Sequence, residues 1–461
     1  MRIGVFGHVG NGNLGDEALI TAVIQNVRRR YPDAELRGFT RRPQDTEQRH
    51  RIPAFPIHRL NGSPATASPS ADQGSDSSLR SHLKRVPVLR ALVQAARRVL
   101  RTAVAVPLEL AFLARSYRNL RGTDLLLVAG SQQLNDYWGG PWSVPFTLFK
   151  WSVLARATGT KVVLLSTGAG PLRTRLGKFF IKQTLRLSHY RSYRDDDARH
   201  CVLALGASGE HPVVPDLVFS LQVAPPRGIA ARPRRRVVGI NPMPCFDDAY
   251  WPESDRRLFA HYQRVLASFA DWLVESEYDV RFFATQLAVD HGVIDDVRGL
   301  MKSANGAAGA GRVVADPIRS FDELVSVIDG VDLVVATRYH GTVFSLIRQK
   351  PVLSIAYHRK SVELMQQMGQ AQYAIDIGQL SLAALGERFL ALERHADEFA
   401  AAVGQRLPQL RTALDAQYDR SFALLGKRFV KGVSRECYSE GRRARRTPEA
   451  VGGTGNAPRL T

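Results

Sequence analysis

Short apolar runs alternate with amphipathic stretches along most of this 461-residue chain, in the order of a strand followed by a helix. A loop rich in glycine and asparagine connects the first apolar run to a predicted helix at Asp16–Arg30, and another predicted helix lies at Asp195–Leu205. Short strands that alternate with helices indicate parallel sheets built from right-handed crossovers. In the first half of the chain the predicted strands are Ile3–Gly7, Leu125–Ala129, Val162–Ser166 and Tyr190–Tyr193.

The alternation stops at residues 222–236, a stretch rich in proline and arginine that we interpret as an interdomain linker. It then restarts, with a predicted helix at Arg256–Glu277 and polar helices over residues 382–425. The predicted strands of this half are Val237–Asn241, Asp279–Thr285, Val331–Ala336 and Val352–Tyr357. The sequence therefore predicts two doubly wound, Rossmann-like α/β domains, residues 1–221 and 237–425, whose strand ends face a common cleft.

Two regions outside this pattern carry most of the positive charge. The net charge of the chain is +20, of which residues 41–121 contribute +10 and residues 427–461 contribute +6. We interpret residues 41–121 as an insertion in the first domain, with a disordered part at 61–79 followed by one or two basic helices. We interpret residues 426–461 as a basic, mostly disordered tail. This surplus is either a plain solvated surface or a surface that attracts anions.

Apolar positions within residues 80–121 recur at spacings near three and four, with arginines around them. This pattern is typical of a basic amphipathic helix. One hypothesis is that the segment docks on an anionic membrane, near a lipid-linked acceptor. The alternative is that its apolar face packs on the first domain. We predict no nucleic-acid partner.

The sequence has no window of roughly 18 uninterrupted apolar residues, the length of a membrane span. It opens with a predicted strand, which leaves no room for a signal peptide. The cysteines Cys201, Cys245 and Cys437 have neither metal-ligand nor disulfide spacing. We therefore expect a cytoplasmic protein, with a position at the inner face of the membrane left open.

Arg338 and His340 are the strongest candidates for chemistry. They follow the predicted strand Val331–Ala336 and stand where a helix begins. Cations at a helix N-terminus oppose the helix dipole unless an anion is bound there. Arg338, His340 and Gly341 therefore predict a phosphate or carboxylate site, in which His340 is able to exchange a proton. The alternative is a surface loop in which the histidine pairs with a backbone carbonyl.

The next predicted strand ends in the same way, since Tyr357 is followed by a histidine, an arginine and Lys360 before a helix begins. We expect Lys360 to face the cleft, and its charged neighbours to be solvated. Arg194 follows the short predicted strand Tyr190–Tyr193 and points to the same cleft edge. Gln286 and Asp290 occupy that edge in the second domain, where their polar groups are suited to hydrogen bonds with a sugar.

The loop from Gly7 to Asp16 lets backbone approach a ligand closely, because it is rich in glycine. Its G-x-G-x-x-G spacing matches a dinucleotide fingerprint only weakly, since no acidic ribose partner follows on a second strand. We expect Asn13, Gly15 and Asp16 to shape the cleft or bind an acceptor, and not to bind NAD. The alternative for Asp16 is a pure helix cap.

Together these motifs resemble those of the polysaccharide pyruvyl transferase family. The resemblance covers roughly residues 1–40 and 122–370. It departs from the family at 41–121, at the basic tail, and at Ala129-Gly130-Ser131, where the family usually has a run of glycines. The matching residues run from Asn13-Leu14-Gly15-Asp16-Glu17-Ala18 through Gly168-Ala169-Gly170-Pro171, Arg194-Asp195, Thr285-Gln286, Asp290 and Arg338-Tyr339-His340-Gly341 to Gln349-Lys350-Pro351-Val352, Tyr357 and Lys360.

The resemblance implies a fold similar to that of two-domain GT-B glycosyltransferases. It also implies transfer of the pyruvyl group of phosphoenolpyruvate to a sugar of a polysaccharide or glycolipid, as a cyclic ketal. In that scheme Arg194, Arg338, Gly341 and Lys360 bind the donor, and His340 acts as an acid or as a phosphate ligand. The scheme requires no metal and no cofactor besides the donor substrate.

Two alternatives from other classes stay open. One is a GT-B type glycosyltransferase with a nucleotide-sugar donor, whose cleft would also have to hold a base and a ribose. The other is a non-catalytic scaffold that binds carbohydrate or membrane. The sequence identifies neither the acceptor sugar nor the oligomeric state.

Overall fold

The computed structural model describes residues 1–8, 10, 12–59, 106–224, 235–303 and 309–426. Over these ranges the chain forms two six-stranded sheets with flanking helices, and all strand pairs within them are parallel. Each sheet has the doubly wound order, in which the first strand of the domain lies beside the fourth. The predicted fold of two Rossmann-like α/β domains is confirmed.

The N-terminal sheet has the strand order β3-β2-β1-β4-β5-β6. Its central strand β4 is buried along its whole length, as expected for a run of leucine, valine and alanine between two helix layers. The strands are β1 (Arg2–Phe6), β2 (Glu35–Thr40), β3 (Ala54–Pro56), β4 (Leu125–Ala129), β5 (Lys161–Thr167) and β6 (Tyr190–Tyr193). The helices are α1 (Leu14–Arg30), α2 (Pro43–His50), α3 (residues 106–120), α4 (Val144–Ala157), α5 (Arg175–Leu187) and α6 (Asp196–Leu203).

The C-terminal sheet has the strand order β12-β11-β10-β7-β8-β9. Its strands are β7 (Val237–Asn241), β8 (Asp279–Phe282), β9 (Val313–Ala315), β10 (Leu333–Ala336), β11 (Val352–Ala356) and β12 (Ala374–Asp376). Its helices are α7 (Arg256–Glu275), α8 (Asp290–Leu300), α9 (Phe321–Gly330), α10 (Tyr339–Ile347), α11 (Arg359–Gln367), α12 (Leu382–Arg394) and α13 (Ala396–Ala423).

The last helix, α13, follows the C-terminal domain in sequence but also packs on the N-terminal one. The Arg30 guanidinium of α1 donates to Asp415 at 2.9 Å and to Asp419 at 3.0 Å. The buried Gln417 side chain bonds with the hydroxyl groups of Ser166 and Ser192 on β5 and β6. The chain thus returns to its first domain, and this return ties the two domains together.

Sequence reasoning missed the sheet edges. Strands β2, β3, β9 and β12 were not predicted, because they are short or interrupted by glycine and charged residues. Residues 41–59, which we assigned to an insertion, supply α2 and the edge strand β3. Residues 106–120, inside the predicted basic helices, form α3, whose Phe112 and Leu120 are buried in the core of the N-terminal domain.

Other predictions lie outside the described residues. These are the disordered segment 61–79, residues 80–105 of the basic segment, the centre of the linker at 225–234 and the tail beyond Gly426. In the part of the chain that the structure describes, no helix combines the length and the apolar character that crossing a bilayer requires.

Candidate functional site

A cavity of about 660 Å³ lies between the two domains, at the carboxyl ends of their strands. Open α/β sheets bind ligands at this edge. The domains meet beside it through backbone hydrogen bonds. Leu14 N donates to Thr285 O at 2.9 Å, and Leu287 N donates to Gly12 O at 2.9 Å. The predicted cleft is therefore present, and both domains form its walls.

Arg338 enters the cavity from the N-terminus of α10, where it is the N-cap residue. Its Nε and Nη2 atoms donate to Asp290 Oδ1 at 2.9 and 2.5 Å. Burial by itself would lower the pKa of Arg338, but the Asp290 carboxylate outweighs it and raises that pKa. Arg338 is thus a fixed cation, and its Nη1 has no hydrogen-bond partner in the part of the chain that the structure describes.

Asp290 also binds two backbone amides through its other carboxylate oxygen. Oδ2 accepts hydrogen bonds from Thr285 N at 3.0 Å and from Gln286 N at 2.7 Å. Its side chain is fully buried behind Arg338. We expected Asp290 to hydrogen-bond a sugar at the cleft edge, and this is wrong for its side chain, because both oxygens are used by the protein. Asp290 positions Arg338 and the loop that carries Gln286.

Arg194 reaches the cavity from the N-terminal domain, directly after β6. Its guanidinium lies 3.2 Å from Asp195, 3.7 Å from Asp216 and 4.7 Å from the centre of the Tyr339 ring. Asp195 also caps α6 by accepting from Ala198 N at 2.8 Å. The predicted motif of Arg194 and Asp195 therefore couples a helix cap to a cation that stacks on an aromatic ring of the opposite domain.

His340 lies at the contact between the domains. A Cβ atom on Gly15 would come within 2.0 Å of His340 Nδ1, so only glycine fits at the start of α1. His340 Nε2 is 3.9 Å from Asp216 Oδ2. Neither of these buried atoms has a hydrogen-bond partner among the described residues. Burial lowers the pKa of His340 to about 4, with Asp216 acting against it, so the imidazole is neutral at neutral pH.

Lys360 is the partly buried cation of the first turn of α11. Its Nζ lies 5.6 Å from the centre of the Tyr339 ring and 5.2 Å from that of Tyr357. Among the described residues it has no ion-pair partner, in contrast to Arg194 and Arg338. A cation held against aromatic faces without a carboxylate keeps its charge available to an anion in the cavity.

Asp16 lines the same cavity as these cations, from the first turn of α1. Ser131 Oγ and Asn13 Nδ2 donate to its carboxylate at 2.9 and 3.0 Å. Burial raises the pKa of Asp16 to about 6, while the Ser131 hydrogen bond opposes the shift and Glu17 adds to it. A carboxyl group with a pKa close to working pH is suited to take up and release a proton. The pure helix cap is Asn13, whose Oδ1 accepts from Gly15 N at 3.0 Å.

The structure brings the predicted residues together, and most of them line one cavity. Gly15 and Gly341 lie behind its wall, where they make room for neighbours. A Cβ atom on Gly341 would come within 2.1 Å of Asn241 Oδ1. The predicted residues that line the cavity are Asn13, Asp16, Arg194, Gln286, Arg338, His340, Tyr357 and Lys360.

Sequence reasoning missed two parts of the site. Asp216, which lies near both Arg194 and His340, carries no local motif that would mark it. The aromatic residues Tyr137, Trp138, Tyr250 and Trp251 also line the cavity. Their signal was present in the sequence, since each is one of a pair of adjacent aromatic residues in a loop between a strand and the next helix.

The N-terminus of α1, where a dinucleotide phosphate would bind, is used by the protein itself. Asn13 caps its first amides, and His340 packs against Gly15. That the loop does not bind NAD stays a prediction. The described residues contain no group of three or more His, Cys, Asp or Glu side chains arranged to hold a metal ion.

Residues 13–359 match the model of one protein family, described as polysaccharide pyruvyl transferase. The match covers both domains and every predicted site residue except Lys360. Lys360 immediately follows the last matched residue, 359.

Solved structures with low sequence identity share the fold. A glycosyltransferase from Rickettsia africae has a TM-score of 0.54 at 8% identity, over 92% of this chain and 99% of its own. A UDP-GlcNAc 2-epimerase from Methanocaldococcus jannaschii has a TM-score of 0.51 at 9% identity, over 85% of this chain and 92% of its own. These similarities show a GT-B-like two-domain fold. The chemistry has to be inferred from the residues of the site itself.

The contact between Gly15 and His340 leads to a prediction about stability. Gly15→Ala should lower the free energy of unfolding by about 1–3 kcal/mol, because the new methyl group overlaps the imidazole. Gly292→Ala, in α8, is the matched control, since a Cβ atom there has no neighbour within 4 Å. Denaturant titrations of both variants measure the difference.

A double variant tests whether His340 is the cause. His340→Ala should recover most of the loss in the Gly15→Ala background, since the two residues are in contact. Similar stability of the two glycine variants, or no recovery in the double variant, would contradict the interpretation.

Proposed function

The chain belongs to the polysaccharide pyruvyl transferase family, and from this premise we propose that it transfers the pyruvyl group of phosphoenolpyruvate to a sugar as a cyclic ketal. The observation that carries the proposal is the meeting of Arg194, Arg338, His340 and Lys360 in one interdomain cavity. They come from both domains, and three of them are permanent cations. Such a set suits a small, highly charged donor.

Phosphoenolpyruvate carries a phosphate and a carboxylate close together, so it needs several donors within a short span. The Arg338 guanidinium and the N-terminus of α10 supply N–H groups for one anionic group. Lys360 and Arg194 both lie within 6 Å of the centre of the Tyr339 ring, at 5.6 and 4.7 Å, and supply charge for the other. Donor binding therefore requires the contact between the domains, since Arg194 belongs to the N-terminal domain.

In the proposed reaction a sugar hydroxyl oxygen attacks C2 of the donor while C3 gains a proton. The bond from C2 to the phosphate oxygen then breaks, and a second hydroxyl of the same acceptor attacks C2 to close the ketal. The first hydroxyl loses one proton as C3 gains one, and the proton of the second leaves with the phosphate. The chemistry needs a base near the hydroxyls and polar donors at the phosphate.

Asp16 and His340 are placed for these proton transfers. Asp16 lines the cavity, with a pKa of about 6, and we assign it as the base for the sugar hydroxyl. His340 is neutral in the ligand-free cavity because burial lowers its pKa to about 4. A neutral imidazole donates one hydrogen bond, and the anionic donor substrate would raise its pKa toward proton transfer.

Replacement of either Arg338 or His340 should abolish turnover. We expect Arg338→Ala and His340→Ala each to lower the rate by about a hundredfold or more, since loss of an electrostatic contact to a transition state costs about 3 kcal/mol. The assay is incubation with phosphoenolpyruvate and free or lipid-linked glycans, with mass detection of the added pyruvyl group. Arg319→Ala, an exposed arginine outside the cavity, is the control.

Near-normal turnover in either variant would remove its assigned role.

Thermal shift measurements separate the proposal from a nucleotide-sugar glycosyltransferase. Stabilisation of the wild-type protein by phosphoenolpyruvate supports pyruvyl transfer, whereas stabilisation by nucleotides alone would favour glycosyl transfer.

The raised pKa of Asp16 leads to a prediction about pH. If Asp16 is the base, kcat/KM should increase as the pH rises through about 6, because the carboxylate forms over that range. The same raised pKa means that the native state favours protonated Asp16, so its contribution to stability declines as the pH rises from about 4 to about 6. Rate and unfolding measurements from pH 4 to 8 follow both effects.

Asp16→Asn should remove the Asp16 limb from both profiles and lower the rate. A limb that arises from the donor phosphate, which also titrates near pH 6, would persist in this variant. Identical rate profiles for wild type and Asp16→Asn would show that another group is the base.

We further propose that the basic segment binds an anionic membrane near a lipid-linked acceptor. The described part of this segment, α3, supports the proposal, because Val106, Leu108 and Leu110 are exposed apolar residues on a helix that also exposes Arg115 and Arg118. Apolar insertion and basic attraction act together at anionic surfaces, where each basic residue contributes on the order of 1 kcal/mol.

Vesicle co-sedimentation tests this membrane contact. Deletion of residues 80–105, with α3 retained because Phe112 and Leu120 are buried, should reduce pelleting with anionic vesicles at low salt. Leu108→Ser with Leu110→Ser should reduce it further, whereas the exposed leucines Leu300 and Leu390 of the other domain serve as control positions. Equal pelleting of all proteins, or pelleting that does not depend on lipid charge, would contradict the proposal.

A further inference from the structure

Aromatic side chains from both domains line one part of the cavity, next to the cations. Tyr137 and Trp138 belong to the loop after β4, Tyr250 and Trp251 to the loop after β7, and Tyr357 follows β11. The proposed donor chemistry uses none of the four aromatic residues of the two loops. Their presence in a cavity that is otherwise rich in charge calls for a ligand with an apolar surface.

Trp138 is at the centre of this group. The centre of its ring lies 5.6 Å from that of Tyr250, 5.6 Å from that of Trp251 and 5.2 Å from that of Tyr137. Despite these neighbours, 39% of Trp138 remains exposed. A large apolar side chain that is held by three aromatic rings and still open to the cavity is a pre-formed binding surface, because binding costs it little conformational freedom.

Hydrogen-bonding groups border the aromatic surface. The Tyr250 hydroxyl lies 3.1 Å from Gln286 Oε1, and Asn13 and Asp16 line the same cavity. An apolar wall next to amide, hydroxyl and carboxylate groups matches the two sides of a pyranose ring. One face of such a ring carries C–H groups that pack on an aromatic side chain, while its edge carries hydroxyls that hydrogen-bond.

The surface depends on both domains, as donor binding does. Glu253 N, from the loop of Tyr250 and Trp251, donates to the Tyr137 hydroxyl at 3.2 Å. Glu253 also forms an ion pair with Arg173 of the N-terminal domain. These contacts hold the two aromatic loops against each other, so the aromatic surface and the cation cluster are present in the same arrangement of the domains.

We propose that Trp138, supported by Tyr250 and Trp251, is the acceptor subsite and stacks on the C–H face of a hexopyranose. The inference rests on the proposed function and names the acceptor class for that site. The sugar presents a continuous face of ring C–H groups to Trp138, and the edge with the two reacting hydroxyls faces Asp16. Specificity among hexoses then depends on which ring face is free of axial hydroxyls.

Trp142 supplies a matched control in the same loop. It is four residues beyond Trp138 and is 64% exposed, but it does not line the cavity. Its ring packs on Phe146 and Phe180, at 5.2 and 5.5 Å between ring centres. Trp138→Ala and Trp142→Ala therefore remove the same side chain from two exposed positions, of which one is inside the cavity.

The experiment uses the full chain with methyl glycosides of glucose, galactose, mannose and N-acetylmannosamine as probes. Saturation-transfer NMR should show contact on the ring C–H protons of one face of at least one glycoside. The signal should be lost in Trp138→Ala and kept in Trp142→Ala. In the pyruvyl transfer assay Trp138→Ala should raise the acceptor KM at least tenfold, and Trp138→Phe less. The KM for phosphoenolpyruvate should change less than twofold.

The outcomes separate this inference from the proposed function. Glycoside binding that needs Trp138, without any pyruvyl transfer, would overturn the proposed reaction and leave the subsite in place. Pyruvyl transfer with the same acceptor KM in Trp138→Ala as in wild type would overturn the subsite and leave the reaction. The absence of saturable contact with all four glycosides, or equal effects of the two alanine variants, would also overturn the subsite.

Discussion

Cations taken out of water need carboxylates beside them, and this requirement organises the interdomain cleft. Arg338 is held by the fully buried Asp290, and Arg194 lies between Asp195 and Asp216. Removal of one partner from such a pair would leave an uncompensated buried charge. The carboxylates fix the guanidinium groups and also bond to nearby backbone amides. The geometry for binding an anion is therefore present before any ligand arrives.

The same dry environment separates the protonation behaviour of two groups in one cavity. Burial raises the pKa of Asp16 to about 6 and lowers that of His340 to about 4, because in both groups it favours the uncharged form. Permanent charge is left to the arginines and to Lys360. A site built in this way holds an anionic donor by fixed charges and leaves proton transfer to groups whose protonation is easily changed.

The domain pattern of the sequence was sufficient to predict two Rossmann-like sheets. The central strands are continuous apolar runs, which are buried on both faces and therefore easy to recognise. The edge strands β3, β9 and β12 have three residues each, and their pairing comes from the sheet beside them. The return of α13 to the N-terminal domain had no signal in the sequence. It depends on contacts such as that of Gln417 with two serines of β5 and β6.

The sequence by itself determined where the charged residues stand, because residues that follow parallel strands must gather at one edge of each sheet. It could not determine which of them touch. Asp290 and Gln286 both follow β8 in the sequence. The Asp290 side chain, however, is fully buried and accepts a hydrogen bond from Arg338. Gly15 and His340 are 325 positions apart in the numbering, and only the docking of the two domains makes the glycine necessary. Local patterns encode strands, helices and their ends, whereas packing between the domains decides which side chains share a cavity.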